Sequence, residues 1–371
     1  MSKKILFLTG KRGGFGAMLP TLNAIREHPD LELSVYPCDQ HLQEKFGRTV
    51  EEVNDSFPIV IGRGGEYTTA SGRLHYMGDL LGSLTDFLVR RKTEGIPYDI
   101  LLLIGDRLES LIGAIAAHNL GIPIAHVQAG DMTGGVDNAQ RWAISHMSTW
   151  LFAGNQDALD RLHDIFYTND TTTAKPRMQM QYIDFVGDVH IDRLMQEMGS
   201  SVTIEQPYIV LLQHPDTLQP DQSAKQLGQT LIALRRFQND YGIVAIYPCS
   251  DQGHAPMIEM LEAERHHWTV HKNLPHGEFI TLLEHASCLV GNSSCGIIEA
   301  PYLNTPVVNI GNRQRGREAC GSTYWARHDA AEIEAMVHHA LHPLGVQRKP
   351  ATLPYGDGTA YKQIVKVLAN A

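Results

Sequence analysis

The chain lacks most of the features that identify a protein quickly. Its five cysteines (Cys38, Cys249, Cys288, Cys295, Cys320) are odd in number and scattered, and no CxxC or cysteine–histidine ligand spacing occurs. A disulfide framework and a structural metal site are therefore not expected, and reduced thiols in a cytoplasmic setting are the simplest reading. No apolar run approaches the roughly 20 residues that span a bilayer. The apolar run near the start, Ile5–Leu8, has four residues, too few for a signal-peptide core. There is no low-complexity tract, no internal repeat, no GxGxxG and no Walker A loop, so the fingerprints of nicotinamide and P-loop sites are missing. Positive charge is in deficit: 31 Lys and Arg against 41 Asp and Glu, 31 − 41 = −10. That balance argues against nucleic acid or an anionic membrane as partner, while leaving room for a local basic pocket.

What is present reads as a globular protein. The chain has 371 residues, 43% hydrophobic and 19% charged, a composition that excludes disordered, collagen-like and coiled-coil classes. At about 150 residues per domain this length suggests two domains. Short unalternating apolar runs (Ile5–Thr9, Leu31–Tyr36, Ile100–Ile104, Ile122–His126) alternate with helical stretches such as Met18–Glu27. The rhythm restarts with Tyr208–Leu212, Gly242–Tyr247, Cys288–Val290 and Pro306–Ile310. Such runs suit strands buried on both faces, and the alternation argues a doubly wound α/β fold with parallel sheets. The polar stretch Asn169–Pro176 and the Gly187-Asp188 turn mark a boundary, giving domains of about 1–186 and 187–371.

In open α/β sheets ligands bind beyond the carboxyl ends of strands, so polar residues after each apolar run are candidates. After the first comes Gly10-Lys-Arg-Gly-Gly-Phe-Gly16, where backbone amides can approach an anion ahead of a helix; the plainer alternative is a tight turn. Next come Gly105-Asp106-Arg107-Leu108-Glu109 and His126-Val-Gln-Ala-Gly-Asp131. Asp106 with Glu109, and Asp137 with Gln140, also fit helix caps. Asp137, Arg141 and Ser145 share one helix face by the i, i+4 rule. The second half offers Gln213-His214-Pro215, Ser250-Asp251-Gln252-Gly253, Gly291-Asn-Ser-Ser-Cys-Gly-Ile-Ile-Glu299 and Gly311-Asn-Arg-Gln-Arg-Gly-Arg317. Ser293 and Ser294 at a helix start suit a diphosphate, and Glu299 could accept hydrogen bonds from ribose hydroxyls. Three arginines in five residues, Arg313, Arg315 and Arg317, suit an anion.

Eight motifs in one order (GDR at 105, HVQAGD at 126, Asp137 with Arg141, LQHP at 212, SDQG at 250, NLP at 273, GNSSCGIIE at 291, GNRQRGRE at 311) resemble the UDP-N-acetylglucosamine 2-epimerase family. The closer likeness is to its hydrolysing branch, which opens sialic acid biosynthesis. The resemblance implies two Rossmann-like domains facing a cleft, the glycosyltransferase-B arrangement, with the last helix, about 359–371, returning to the N-terminal domain. It implies that Asp106, Asp131, Asp137 and His214 are catalytic. Arg12, Arg107, Arg141, Asp251, Ser293, Ser294, Glu299 and Arg313 would bind the substrate, a UDP-sugar. It implies a cytoplasmic homodimer or higher homo-oligomer, no cofactor and no metal, since arginines can carry the charge load. The chain departs from the branch at Gly14, Gln128, Asp131, Asn138 and Trp142. Trp142, where relatives have His, favours a less polar sugar such as the 2,4-diacetamido-trideoxy sugar of the legionaminic acid route. The chemistry implied is elimination of UDP to a glycal followed by hydration. Other readings are a non-hydrolysing epimerase, a glycosyltransferase of the same fold, and a nucleotide-sugar binding protein without catalysis.

Overall fold

The unalternating apolar runs become the strands of two parallel sheets. The computed structural model describes residues 2–44, 47–60, 67, 69–135, 137–167, 182–199, 206–249, 251–320, 322–342 and 353–371. The linker expected over Asn169–Pro176, and Ser250, lie outside the described residues. The chain divides into two compact units: Met1–Asp131, Asp137–Arg193 and Tyr355–Ala371 form one, Met132–Val136 and Leu194–Pro354 the other.

The first unit runs β1 (Lys3–Thr9), α1 (Arg12–Glu27), β2 (Leu31–Pro37), α2 (Val50–Ser56), α3 (Ala70–Thr93), β3 (Ile100–Ile104), α4 (Leu108–Leu120), β4 (Ile124–Ala129), α5 (Asp137–Met147), β5 (Trp150–Ala153), α6 (Gln156–Phe166) and β6 (Tyr182–Phe185) into α7 (Val189–Glu197). Its sheet has six strands in the order β2-β1-β3-β4-β5-β6, all parallel. Alternate residues of each strand meet different helices. Ile5, Phe7 and Leu102 pack with Phe15, Met18 and Leu22 of α1. Leu6, Leu8, Leu101 and Leu103 pack on the other face with Leu80 and Leu84 of α3 and Ala117 of α4. Burial on both faces is why these strands carry no polar alternation.

The boundary falls inside α7, beyond the expected 186/187, because the start of that helix is built into the first unit. Val189 is part of the apolar core, and the Asp192 carboxylate accepts the Ala360 and Tyr361 N–H groups at 2.9 and 2.6 Å. Those amides open the chain's last helix, Ala360–Asn370, whose Ile364 and Leu368 join the same core.

The second unit runs β7 (Tyr208–Leu212), α8 (Ser223–Leu234), β8 (Gly242–Ile246), α9 (His254–Ala263), β9 (Thr269–His271), α10 (His276–Glu284), β10 (Cys288–Gly291), α11 (Cys295–Ile298), β11 (Val307–Ile310), β12 (Thr323–Ala326) and α12 (Ala330–Leu341); the terminal helix of the first unit is then α13. Its sheet also has six parallel strands, in the order β12-β11-β10-β7-β8-β9. Each order reverses once, between β1 and β3 in the first sheet and between β7 and β10 in the second. These are the switch points at which open α/β sheets place their ligands.

Candidate functional site

In the first unit, three of the residues singled out in the sequence meet around one guanidinium. Arg141 is almost wholly buried. Its Nη2 binds the Asp106 carboxylate and its Nη1 donates to the Asp131 carbonyl at 2.7 Å. Asp106 follows β3 and is not the N-cap of α4. The N-cap of α4 is Arg107, with no side-chain capping bond, so the carboxylate is given to Arg141 instead. Asp131 is buried, and Asn155 donates to its Oδ1 at 3.2 Å while capping α6 through Ala158 N–H. Beneath them lies His126, fully buried. Its Nε2 is 2.7 Å from the Gly105 carbonyl, the bond that requires Nε2–H, so Nδ1 accepts from the Ser145 hydroxyl at 3.0 Å. Burial pushes the His126 pKa down to about 4 against the pull of the Gly105 carbonyl, so at neutral pH this is an uncharged ring holding the backbone before Asp106.

The glycine-rich segment differs from the loop expected. α1 already begins at Arg12, so Gly13, Gly14 and Gly16 are helical. The structure does require Gly10 to be glycine: a Cβ there would lie 2.2 Å from Glu109 Oε1. Glu109 is buried and forms the centre of a second charge cluster. Arg107 donates to it through Nε at 2.6 Å and reaches Asp39 at 3.5 Å, and Arg73 stands 3.9 Å from its other oxygen. Asp39 accepts from Tyr67 Oη at 2.8 Å and Gln43 at 3.1 Å. Burial, reinforced by the Glu109 carboxylate, lifts the Asp39 pKa to about 6. Burial would raise Glu109 also, but the guanidiniums of Arg107 and Arg73 outweigh it and hold that carboxyl below its ordinary value. Arg107, expected to reach substrate phosphate, is thus engaged by two buried carboxylates. Arg12 pairs with Glu52 of α2 at 3.0 Å. Asp137 is the first residue of α5, one turn before Arg141. Trp142 packs against the apolar cluster of Ala129, Leu151, Ala153 and Leu162. This contact gives the tryptophan an apolar neighbour on one side, while it stays partly exposed.

In the second unit the switch point collects His214, Asp251 and Arg313 around Asn292. The His214 N–H donates to Asn292 Oδ1 at 2.6 Å, and Asn292 Nδ2 donates to the His214 carbonyl at 2.9 Å. Asn292 thereby ties the ends of β7 and β10 together. His214 Nδ1 accepts the Cys249 N–H at 3.0 Å, which leaves Nε2 as the protonated nitrogen of the neutral ring. Gly291 has φ +146, and a Cβ there would meet the Leu212 carbonyl at 2.0 Å, so only glycine permits β7 and β10 to end this closely. Arg313 reaches Asp251 and the Asn292 carbonyl, each at 3.4 Å, and Gln314 donates to that carbonyl at 2.9 Å. Arg315 is exposed. Asp251 also accepts from the Cys249 thiol at 3.1 Å. Ser293 and Ser294 precede the single turn of α11, and Ser294 makes no side-chain capping bond. Glu299 is buried at the end of that turn, 4.0 Å from His276 Nε2, whose Nδ1 meets Glu197 at 2.5 Å.

Sequence reasoning missed how these side chains meet: Asp39 and Arg73 around Glu109, the Asn155 brace, the Glu197–His276 pair, and Gln128 with Asp188 and His190. Local signals existed for some. Asn155 fits an N-cap, and Asp39 follows a strand. Nothing local pairs residues as far apart as Asp39 and Arg107. Among the described residues no group of three His, Cys, Asp or Glu is arranged to hold a metal ion, and no helix is long and apolar enough to cross a membrane.

Comparison with known proteins now adds to this geometry. The profile of the family described as UDP-N-acetylglucosamine 2-epimerase matches residues 23–369. The chain is similar to a UDP-N-acetylglucosamine 2-epimerase of Neisseria meningitidis serogroup B, 27% identical over 99% of this chain and 95% of that protein. It is also similar to a UDP-N,N'-diacetylbacillosamine 2-epimerase (hydrolyzing) of Legionella pneumophila, 32% identical over 86% of this chain and 83% of that protein. Among solved structures, the UDP-GlcNAc 2-epimerase from Neisseria meningitidis bound to UDP-GlcNAc superposes with a TM-score of 0.78 at 20% identity, covering 99% of this chain and 100% of that one. At that identity the likeness speaks for the fold, the glycosyltransferase-B-like pair of parallel sheets.

Proposed function

The chain belongs to the UDP-N-acetylglucosamine 2-epimerase family, and from that premise we propose that it is a hydrolysing 2-epimerase of a UDP-linked 2-acetamido sugar, with UDP-N-acetylglucosamine as the first substrate to test. The observation that carries the reading is the shared clamp of Arg141, which holds the Asp106 carboxylate and the Asp131 backbone together at the switch-point edge of the first sheet. A carboxylate held in place by a buried guanidinium is positioned for proton transfer.

The reaction needs such a base because the C2 hydrogen is not next to a carbonyl. Departure of UDP from C1 builds oxocarbenium character and acidifies that hydrogen. A carboxylate takes the proton, and a glycal and UDP remain. Water then adds, its oxygen bonding to C1 while C2 receives a proton on the face opposite the one that lost it, which gives the manno configuration. Developing charge on the departing diphosphate calls for fixed donors, and the groups proposed for it are Arg313, Ser293, Ser294 and the His214 Nε2–H. Glu299 is proposed to hold the ribose. Asp131 and Asp137 are proposed to share the acid/base work with Asp106.

A second reading has support of its own. The similarity to the Legionella enzyme favours a 2,4-diacetamido-6-deoxy sugar in place of N-acetylglucosamine, with the same elimination and hydration. Proton NMR in D₂O separates the readings. Free UDP with N-acetylmannosamine deuterated at C2 is the expected result from UDP-N-acetylglucosamine. Turnover only of the diacetamido sugar nucleotide moves the assignment to the second reading. A deuterated UDP-N-acetylmannosamine still linked to UDP assigns the non-hydrolysing reaction. Unlabelled N-acetylglucosamine with UDP contradicts epimerisation. With an active substrate, Asp106→Asn is expected to lower kcat by roughly 10²–10⁴-fold.

A further inference from the structure

Gln128, Asp188 and His190 form a third polar group at the carboxyl edge of the first sheet. The Asp188 carboxylate, itself fully buried, receives His190 Nδ1 at 2.7 Å, the His190 backbone N–H at 2.9 Å, and Gln128 Nε2 at 2.8 Å. Gln128 Nε2 also lies 3.1 Å from the imidazole Nδ1. Burial would raise the Asp188 pKa, but the imidazole and these hydrogen bonds outweigh it and hold the carboxyl below its ordinary value. The carboxylate is therefore ionised, and it fixes Nδ1 as the donor and stabilises the charged form of the ring.

Two facts tie this pair to the candidate site. Gln128 stands at the end of β4, beside β3, where Ile104 pairs with Val127, and its Oε1 lies 3.6 Å from where a Cβ on Gly105 would sit, one residue before Asp106. Gln128 also adopts φ +61, a left-handed conformation that costs a non-glycine residue roughly 1–3 kcal/mol and collects at functional sites. Capping of α7 explains the bond from Asp188 to the His190 N–H. It does not explain the ring bond or the strained glutamine that completes the group.

We propose that the Asp188–His190 pair is a further proton-transfer group of this enzyme, the acid that returns a proton to C2 of the sugar. The proposal rests on the epimerase reading above and adds to it. Inversion at C2 needs a proton removed on one face and returned on the other, hence two groups. Asp106, paired with Arg141, suits removal; an imidazolium backed by Asp188 suits return. In the hydration step the C1=C2 electron pair of the glycal takes the Nε2 proton and forms the new C2–H bond. The water oxygen bonds to C1, and the proton that this water loses restores the imidazolium. The proton first taken from C2 leaves the carboxylate for solvent, and UDP departs with the electron pair of the C1–O bond.

The test is turnover of UDP-N-acetylglucosamine, and of its 2,4-diacetamido analogue, by wild-type protein and by His190→Gln in D₂O, followed by proton NMR. Expected for His190→Gln is a fall in kcat of roughly 10²–10⁴-fold with KM and UDP affinity unchanged. UDP release is expected to outrun sugar formation, and the vinyl proton of the free glycal to appear. His190→Ala is expected to regain activity with added imidazole, and Asp188→Asn to leak glycal to a smaller extent; rescue and leakage are readouts that a helix cap would not move. Wild-type turnover with C2 deuteration, together with His190→Gln at wild-type kcat and no glycal, overturns the proposal and leaves the epimerase reading standing. Wild-type protein that incorporates no C2 deuterium from either sugar overturns both.

Discussion

At the carboxyl edge of the first sheet, charge is met by charge. Arg141 binds Asp106, and Arg107 lies between Asp39 and Glu109. At the corresponding edge of the second sheet, neutral groups hold one another: Asn292 bridges both backbone groups of His214, and Cys249 N–H fixes the imidazole. Arg313 and Asp251 stand there at a longer 3.4 Å. The difference matters for the reaction proposed above, which asks proton transfer of the first edge and diphosphate binding of the second. A site that moves protons needs carboxylates whose ionisation is set in advance. An edge proposed to hold a diphosphate needs hydrogen-bond donors for its oxygens.

The largest test of that contrast is Arg141→Met. It leaves Asp106 without its cation and the Asp131 carbonyl without its donor, and removing one partner of a buried pair costs roughly 3–5 kcal/mol. Urea unfolding should show a loss of that size, and Arg141→Met combined with Asp106→Asn should recover part of it. No recovery in the double variant would mean that the charge pairing is not what holds this edge.

Next comes the pH response of the buried histidines, both in the first unit. Burial pushes His41 and His126 down to about 4. The unfolded chain, with ordinary histidines near 6.5, binds protons that the folded one refuses, so stability from these rings is complete above about pH 6.5 and is lost as pH falls towards 4, about 3 kcal/mol each at full effect. Asp39 works in the opposite sense. With its pKa raised to about 6, the folded state binds the proton first, and its contribution rises as pH falls below that value. Histidine ring signals followed by NMR should give midpoints near 4 for both. A midpoint near 6.5 for His126 would mean that water reaches the clamp.

Asn292→Ala tests the neutral edge. It removes the bridge between β7 and β10 and leaves His214 N–H and C=O without that partner, a loss of about 1–3 kcal/mol by thermal unfolding, with weaker UDP binding by calorimetry. Smallest is Arg12→Ala. Its pair with Glu52 is partly exposed, so stability should change by under about 1 kcal/mol. A rise in KM at constant stability would support the proposed contact of Arg12 with the substrate.

Much of the fold was legible because the strands are buried on both faces. A run such as Ile-Leu-Leu-Leu-Ile at 100–104 has no other comfortable place than a central parallel strand. The polar residues after those runs were legible for the same reason, as strand ends are where such sheets present chemistry. The local alternatives were resolved only by distance in the fold. Asp106 fits a capping box by spacing, yet it is given to an arginine 35 positions away. The glycine-rich segment reads as a loop, yet α1 starts within it, and Gly10 is required by a neighbour, Glu109. Trp142 reads as a change in sugar contact, and the fold adds a packing contact with the cluster of Leu151 and Leu162.

Composition, the rhythm of apolar runs and the order of eight short motifs determined the class, two parallel sheets with polar residues at the strand ends, because burial and backbone pairing act through patterns a few residues long. Which charges neutralise each other was decided only by the tertiary structure. Arg141 with Asp106, Arg107 with Asp39 and Glu109, and Asp188 with His190 and Gln128 meet because β1, β3, β4 and β6 end at one edge. Coulomb energy depends on distance in space and on burial, and neither is written in the spacing of residues along the chain.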